Sequence, residues 1–410
     1  MDFNKNLQKY ADLSVKLGVN IQKDQTLVIN CPIECAYFAR MVAVSAYKNG
    51  AKEVVMFWND EKFSKIKYTY SPLEVFESVP QWVADSRNYY GEMDCAYINI
   101  IARDPEIFKD VDSNKLAAEN VATRKATKPF RDRIDAGHIA WNIISVPTVA
   151  WAKKIFPDCD EQTAVDNLWE AIFKAVRVDK EDTVGAWNDH KETLFAKSQY
   201  LNEKQFVSFH YKNSLGTDLV VGMPENYVFE GGGDKTIKGV YYFPNMPTEE
   251  VFSMPHREKV NGIVVASMPL NYQGTLIKEF SITFKDGRVI DFTAKEGYEA
   301  LKRLIETDEG SHFLGEIALV PNKSPISDMG ILFYNTLFDE NASCHFALGS
   351  AYPTCIKDGL TYTKEELMKL GGNDSIEHED FMIGTPDLSI IATDKDGNEV
   401  PIFVNGNWAI

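Results

Sequence analysis

His378 and Asp380 stand two residues apart in the segment Ile376–Gly384, IEHEDFMIG. In an extended chain successive side chains alternate between faces, so this spacing projects an imidazole and a carboxylate together. Such a pair is half of a site for zinc, cobalt, manganese or magnesium. An acidic surface turn would show the same spacing, so the pair alone decides nothing. A second segment, Asn341–Cys355 (NASCHFALGSAYPTC), is centred on His345. A third, Asn245–Pro255 (NMPTEEVFSMP), holds Glu249 and Glu250 between prolines. In a strand only one of these two faces a given site, and an exposed acidic turn is the plain alternative. In the fourth, Phe313–Val320 (FLGEIALV), Glu316 interrupts an apolar strand. A carboxylate there is costly unless a basic residue or a metal ion neutralises it. Together the segments supply carboxylates and imidazoles enough for two divalent cations sharing a bridging carboxylate and a water.

Other chemistries lack their signatures. None of the seven histidines belongs to an HExxH motif, and there is no GxSxG elbow. No GxGxxG or GxxxxGK[ST] follows a strand-like run, so nothing supports a dinucleotide or ATP site. Gly231-Gly232-Gly233 lacks the lysine of a phosphate loop and reads as a turn. The six cysteines form no CxxC pair, and Cys31 and Cys35 have no second pair to complete a zinc site. They read as buried thiols in a chain without disulfides. Asp and Glu outnumber Lys and Arg by 60 to 43, a formal net charge of −17. That field repels phosphate backbones and argues against nucleic-acid binding. No run approaches the roughly 18 apolar residues of a membrane span, and the first residues form no apolar signal core. The expected location is the cytoplasm, with no membrane partner.

The elements that must position these residues fall into two textures. In the first half, strand-like runs at Gln25–Cys31, Glu53–Trp58, Cys95–Ile101 and His138–Val146 alternate with helical patterns. One of these, Cys35–Ala51, stops at Asn49-Gly50. Alternation of this kind predicts an α/β domain with a mostly parallel sheet. Val184–Glu203 reads as a joining helix. Beyond it, strand pairs flank Asn213–Gly216, Asp286-Gly287 and Asp396-Gly397. Asp-Gly favours two-residue hairpin turns, so an α+β domain of antiparallel strands is expected. The expected division is 1–195 for the α/β domain and 196–410 for a metal-binding catalytic domain.

The segments PTEEVF (Pro247–Phe252), LGE (Leu314–Glu316), HFALGSAY (His345–Tyr352) and HEDFMIG (His378–Gly384) occur in this order. With the closing NGNWAI (Asn405–Ile410), they resemble the aminopeptidase T / aminopeptidase S (PepS) family of bacterial metallo-aminopeptidases along most of the chain. The resemblance implies metal ligands at Glu250, Glu316, His345, His378 and Asp380, and a catalytic tyrosine at Tyr352. It is the family pattern that selects Glu250 over Glu249. It also implies peptide substrates, a homodimer, a cavity restricting access to peptide ends, and a pair of divalent cations. Glu249 or Glu316 is expected to move the proton to the leaving amine. Two alternatives remain open at this point: a two-metal hydrolase of another bond, such as a phosphoesterase, and a non-catalytic metal-binding protein.

Overall fold

Apolar runs too short for helices, separated by amphipathic helical stretches, have one compact solution: parallel strands joined by crossover helices. A computed structural model, which describes residues 2–272 and 274–410, shows this arrangement in the first part of the chain. Strands β1 (Thr26–Pro32), β2 (Glu53–Asn59), β3 (Ala96–Ile101) and β4 (Trp141–Ser145) form a parallel sheet in the order β2-β1-β3-β4. The helix Ala36–Lys48 connects β1 to β2 and ends at Asn49. Gly50 follows at φ 98°, a left-handed conformation that glycine adopts without steric penalty. β4 lies within the run His138–Val146, and its ladder partners on β3 are met by Trp141–Ser145.

The chain divides into two compact units. The first comprises the residues up to Asn188 together with Gly233–Pro247. That returning segment is fastened by backbone and amide bonds. Asn142 Nδ2 donates to Phe243 O at 2.7 Å, Asn20 Nδ2 to Tyr241 O at 2.8 Å, and Ile143 N to Pro244 O at 2.7 Å.

The second unit comprises Asp189–Gly232 and Thr248–Ile410, and its first segment opens with residues 189–204 of the helix Thr183–Lys204. Its strands, in chain order, begin with β5 (Ser208–Lys212), β6 (Asp218–Gly222) and β7 (Glu230–Gly231). After the hairpin β8 (Asp234–Lys235) and β9 (Tyr241–Tyr242) of the first unit come β10 (Val251–Ser253), β11 (Val260–Val265), β12 (Leu270–Tyr272), β13 (Thr275–Lys285) and β14 (Arg288–Glu296). The series continues with β15 (Leu314–Leu319), β16 (His345–Gly349), β17 (His378–Met382), β18 (Ser389–Thr393), β19 (Glu399–Val404) and β20 (Asn407–Trp408). The strands build a nine-stranded and a five-stranded sheet, the latter in the order β17-β16-β15-β10-β7. Every pairing in the five-stranded sheet is antiparallel.

The hairpin signals differ in outcome. Asp286 and Gly287 both take positive φ, 50° and 82°, and close the β13–β14 hairpin as a two-residue turn. Asp396-Gly397 does not: β18 and β19 are joined by the whole of 394–398. Asp394 drives this wider loop, its carboxylate accepting the N–H groups of Asp396 (2.9 Å) and Asn398 (2.8 Å).

One face of the five-stranded sheet supplies Val251, Ile317, Phe346, Leu348 and Phe381 to a large apolar core. Tyr211 of β5 meets Phe346 edge-on at 4.9 Å, and Phe280 of β13 lies 5.9 Å from Phe381. With one face committed to the core, side chains at alternate positions must emerge on the other. Phe346→Ala should therefore lower the stability of the second unit by about 3–5 kcal/mol, the usual cost of truncating a buried phenylalanine. Urea unfolding followed by tryptophan fluorescence checks this. An unchanged midpoint would contradict the packing.

Candidate metal centre

The strand register places the candidate residues on the sheet face opposite the core. Ala347 of β16 stands between Glu316 of β15 and Asp380 of β17, and Gly349 pairs with His378. His345 pairs with Ala318 on one side and Met382 on the other. The two-residue periodicity of β17 puts His378 and Asp380 on one face, as their spacing predicts. Ala318, Ala347 and Gly349 carry almost no side chain, which leaves room above the middle of the sheet. Glu250 lies immediately before β10 and reaches the same place.

A bulge aims Glu316. The β15–β16 register slips between Leu314 and Glu316, so Gly315 is the extra residue. A Cβ at Gly315 would sit 2.3 Å from Ser350 O and 2.4 Å from Gly349 O, so only glycine allows this close approach. Gly349 is constrained similarly: it has φ 108°, and a Cβ would meet Glu377 O at 2.2 Å. The glycines of LGE and HFALGSAY are thus backbone requirements of the site.

Two clusters result: Glu250, Glu316 and His345; and Glu316, His378 and Asp380. Glu316 belongs to both, with a different oxygen toward each. Its Oε1 lies 3.6 Å from His345 Nε2 and its Oε2 3.3 Å from His378 Nε2. Glu250 Oε2 is 3.3 Å from His345 Nε2, and Asp380 Oδ1 is 3.6 Å from His378 Nε2. Donors about 2.1 Å from one tetrahedral zinc ion stand about 3.4 Å from each other, so the spacing fits shared coordination. The imidazoles are prepared for it. His345 Nδ1 donates to Ser343 O at 3.1 Å and His378 Nδ1 to Ser350 O at 2.7 Å. A carbonyl only accepts, so Nδ1 carries a hydrogen and Nε2 faces the carboxylates: it donates to them when the ring is charged and offers its lone pair to a cation when the ring is neutral.

The structure adds a fourth carboxylate, Glu340, on the turn Glu340–Ala342. Burial pushes its carboxyl well above the ordinary range, and the charges of Asp380 and Glu250 push it further. Burial likewise raises Glu250 and Asp380, with Glu316 adding to both. Burial works against the Glu316 charge too, but hydrogen bonds from the charged forms of His345 and His378 outweigh it and hold that carboxyl below the ordinary range. No lysine or arginine pairs with these four carboxylates among the described residues. Like charges crowded away from water are relieved by a divalent cation. The oxygen and imidazole donor set suits zinc, cobalt or manganese.

Tyr352 follows β16, on a turn held by bonds from Ser350 N to Glu377 O (2.7 Å) and Ala351 N to Asn373 O (2.9 Å). Its ring lies 4.8 Å from that of His378, and 47% of the residue is exposed. Burial of the hydroxyl and the nearby charges of Glu316, Asp380, Glu340 and Glu250 keep the phenol well above its usual range, hence a proton donor. Glu249 turns instead toward His190, with Oε2 3.5 Å from Nε2. The sequence reading missed Glu340 by one position, since the segment drawn around His345 began at Asn341. The pair Asp339-Glu340 beside that segment was the available signal. All five expected ligands come together, and Tyr352 stands at their edge.

Gly315→Ala should weaken metal binding about 10–100-fold, the scale of losses when the support of a ligand is disturbed. Calorimetric titration of the chelator-treated protein measures this, and wild-type affinity in the variant would remove the bulge from the account.

The chain is similar along nearly its whole length to known bacterial aminopeptidases. The chain is 47% identical over 407 residues to aminopeptidase 2 of Geobacillus stearothermophilus, covering 99% of this chain and 98% of that one. It is 44% identical to aminopeptidase AmpS of Bacillus subtilis (strain 168), covering 99% of each. The solved structure of wild-type AmpT from Thermus thermophilus superposes with a TM-score of 0.94 at 36% identity, covering 100% of both chains. Residues 3–408 match the family described as thermophilic metalloprotease (M29). With the match spanning nearly every residue, the chain belongs to the M29 family of metallopeptidases.

Proposed function

We propose that the protein is a two-metal aminopeptidase whose centre is bridged by Glu316. As a member of its family the chain is a metal-dependent peptide hydrolase. The observation carrying the finer reading is the membership of Glu316 in both ligand clusters, one oxygen turned to each imidazole. His345 and Glu250 would complete one ion's ligands, and His378 and Asp380 the other's. Glu340, beside Asp380 and Glu250, is a further donor. When bound, two such cations supply an acidified water near neutral pH and polarise a carbonyl oxygen.

The protein's own groups do the rest. The ligands fix where the cations would lie, and through them where a free N-terminal amine and the first carbonyl of a peptide would sit, which confines cleavage to the end of the chain. Tyr352 donates its hydroxyl to the oxygen that gains charge as the carbonyl is attacked. Of the two carboxylates considered for proton transfer, Glu249 is turned toward His190, and Glu316 could carry the proton toward the leaving amine only while one of its oxygens is off its cation. The half-exposed Tyr352 also distinguishes this centre from a closed structural site, which protein ligands saturate. A phosphoesterase would need a basic clamp, and of the neighbouring basic pair His256-Arg257 the Arg257 guanidinium lies over the Phe313 ring at 4.2 Å. The cytoplasmic location and the homodimer belong to this proposal as well. Among the described residues no helix is long and apolar enough to cross a membrane. Light scattering of the purified protein measures the oligomeric state.

Tyr352→Phe should retain its metal and its KM for an amino-acid p-nitroanilide while kcat falls about 10²–10³-fold, the cost of one lost oxyanion donor. Turnover at the wild-type rate would remove Tyr352 from the mechanism. Exhaustive chelation should abolish hydrolysis, and zinc or cobalt should restore it. Full activity in the chelated protein would contradict the metal-dependent reading.

A further inference from the structure

Four of the candidate ligands need no extra support. Glu316, His345, His378 and Asp380 ride on β15, β16 and β17, where ladder hydrogen bonds fix each strand against its neighbour. Glu250 and Glu340 are different. Glu250 lies just outside β10, and Glu340 sits on a short turn that pairs with no strand among the described residues. Something else must hold these two carboxylates at the precision that coordination demands.

We propose that Asn341 is a positioning residue that ties the segment carrying Glu250 to the buried turn at Glu340, and so mounts Glu250 for the metal ion shared with His345. Asn341 is completely buried, at 0% exposure. Its Oδ1 accepts the N–H of Glu249 at 2.6 Å, and so holds the backbone of the residue that precedes Glu250. Its Nδ2 donates to Leu337 O at 2.9 Å and reaches Glu340 Oε1 at 3.4 Å. One amide therefore uses its acceptor on one ligand segment and its donors on the other. The turn is braced on the far side of Glu340 by Asp339, whose carboxylate accepts the N–H groups of Phe333 (2.7 Å) and Asn335 (3.0 Å). Aspartate at 341 would lack the donors, and glutamine would displace the acceptor by a methylene. Asparagine is the side chain that serves both segments.

The inference rests on the two-metal reading, and the test separates the two. Zinc binding to the chelator-treated full chain is measured by competition with a chromophoric chelator, alongside thermal unfolding, for wild type, Asn341→Ala and Asn202→Ala. Asn202 is the control: its amide exchanges hydrogen bonds with Phe229 N (2.7 Å) and O (2.9 Å) and touches no ligand segment. Both variants should unfold at lower temperature. Only Asn341→Ala should weaken one of the two zinc-binding steps, about 10–100-fold, leaving the other step near wild type. If Asn341→Ala does not fold, Asn341→Ser, too short to span both contacts, should show the same selective loss. Wild-type affinities at both steps in the Asn341 variant, or an equal loss in Asn202→Ala, would overturn the positioning role alone. A wild-type protein that takes up no zinc would overturn the two-metal reading together with it.

Discussion

Carboxylates crowded together repel one another, and among the described residues no lysine or arginine and only two imidazoles, His345 and His378, face Glu250, Glu316, Glu340 and Asp380. The second unit is organised around that constraint. A fold driven only by apolar burial would not gather four acids at one point, because each pays a desolvation cost of several kcal/mol. The arrangement is stable when divalent cations occupy the space between the oxygens and the two imidazoles. Metal binding and local folding energy are then the same quantity at this site.

The five-stranded sheet meets the constraint by dividing its labour between faces. Val251, Ile317, Phe346, Leu348 and Phe381 anchor it on the core, which makes the register of β15, β16 and β17 costly to shift. A slip of one residue would turn the acids into the apolar core and the phenylalanines onto the polar face. Register on the polar face is therefore secured by packing on the other. The small residues Ala318, Ala347 and Gly349, the bulge at Gly315, and the carbonyls of Ser343 and Ser350 refine what that register provides. Glu316 sits where all these demands meet, at the point shared by the two clusters.

Much of this was legible in the residues because local rules carry it. The period-two spacing of His378 and Asp380 is a property of any strand, and β17 obeys it. The runs that became β1, β2 and β3, and the Asp286-Gly287 turn, follow from apolar patterning and turn chemistry. What could not be read depends on distant partners. The 15 residues 233–247 rejoin the first unit through bonds such as Asn142 to Phe243, and no local pattern marks that return. Asp396-Gly397 yielded a wider loop because the Asp394 carboxylate captured the turn. Glu340 carries no strand periodicity, and only its tertiary neighbours reveal it. The roles of Gly315 and Asn341 likewise appear only when the strands are assembled.

The central claim is that one carboxylate, Glu316, joins two cations. Crystals of the protein equilibrated with zinc, measured at the zinc absorption edge, test it most directly. The account predicts two anomalous peaks about 3.5–4 Å apart, one beside each Glu316 oxygen, with His345 next to one and His378 next to the other. A single peak, or two peaks of which neither touches Glu316, would contradict it.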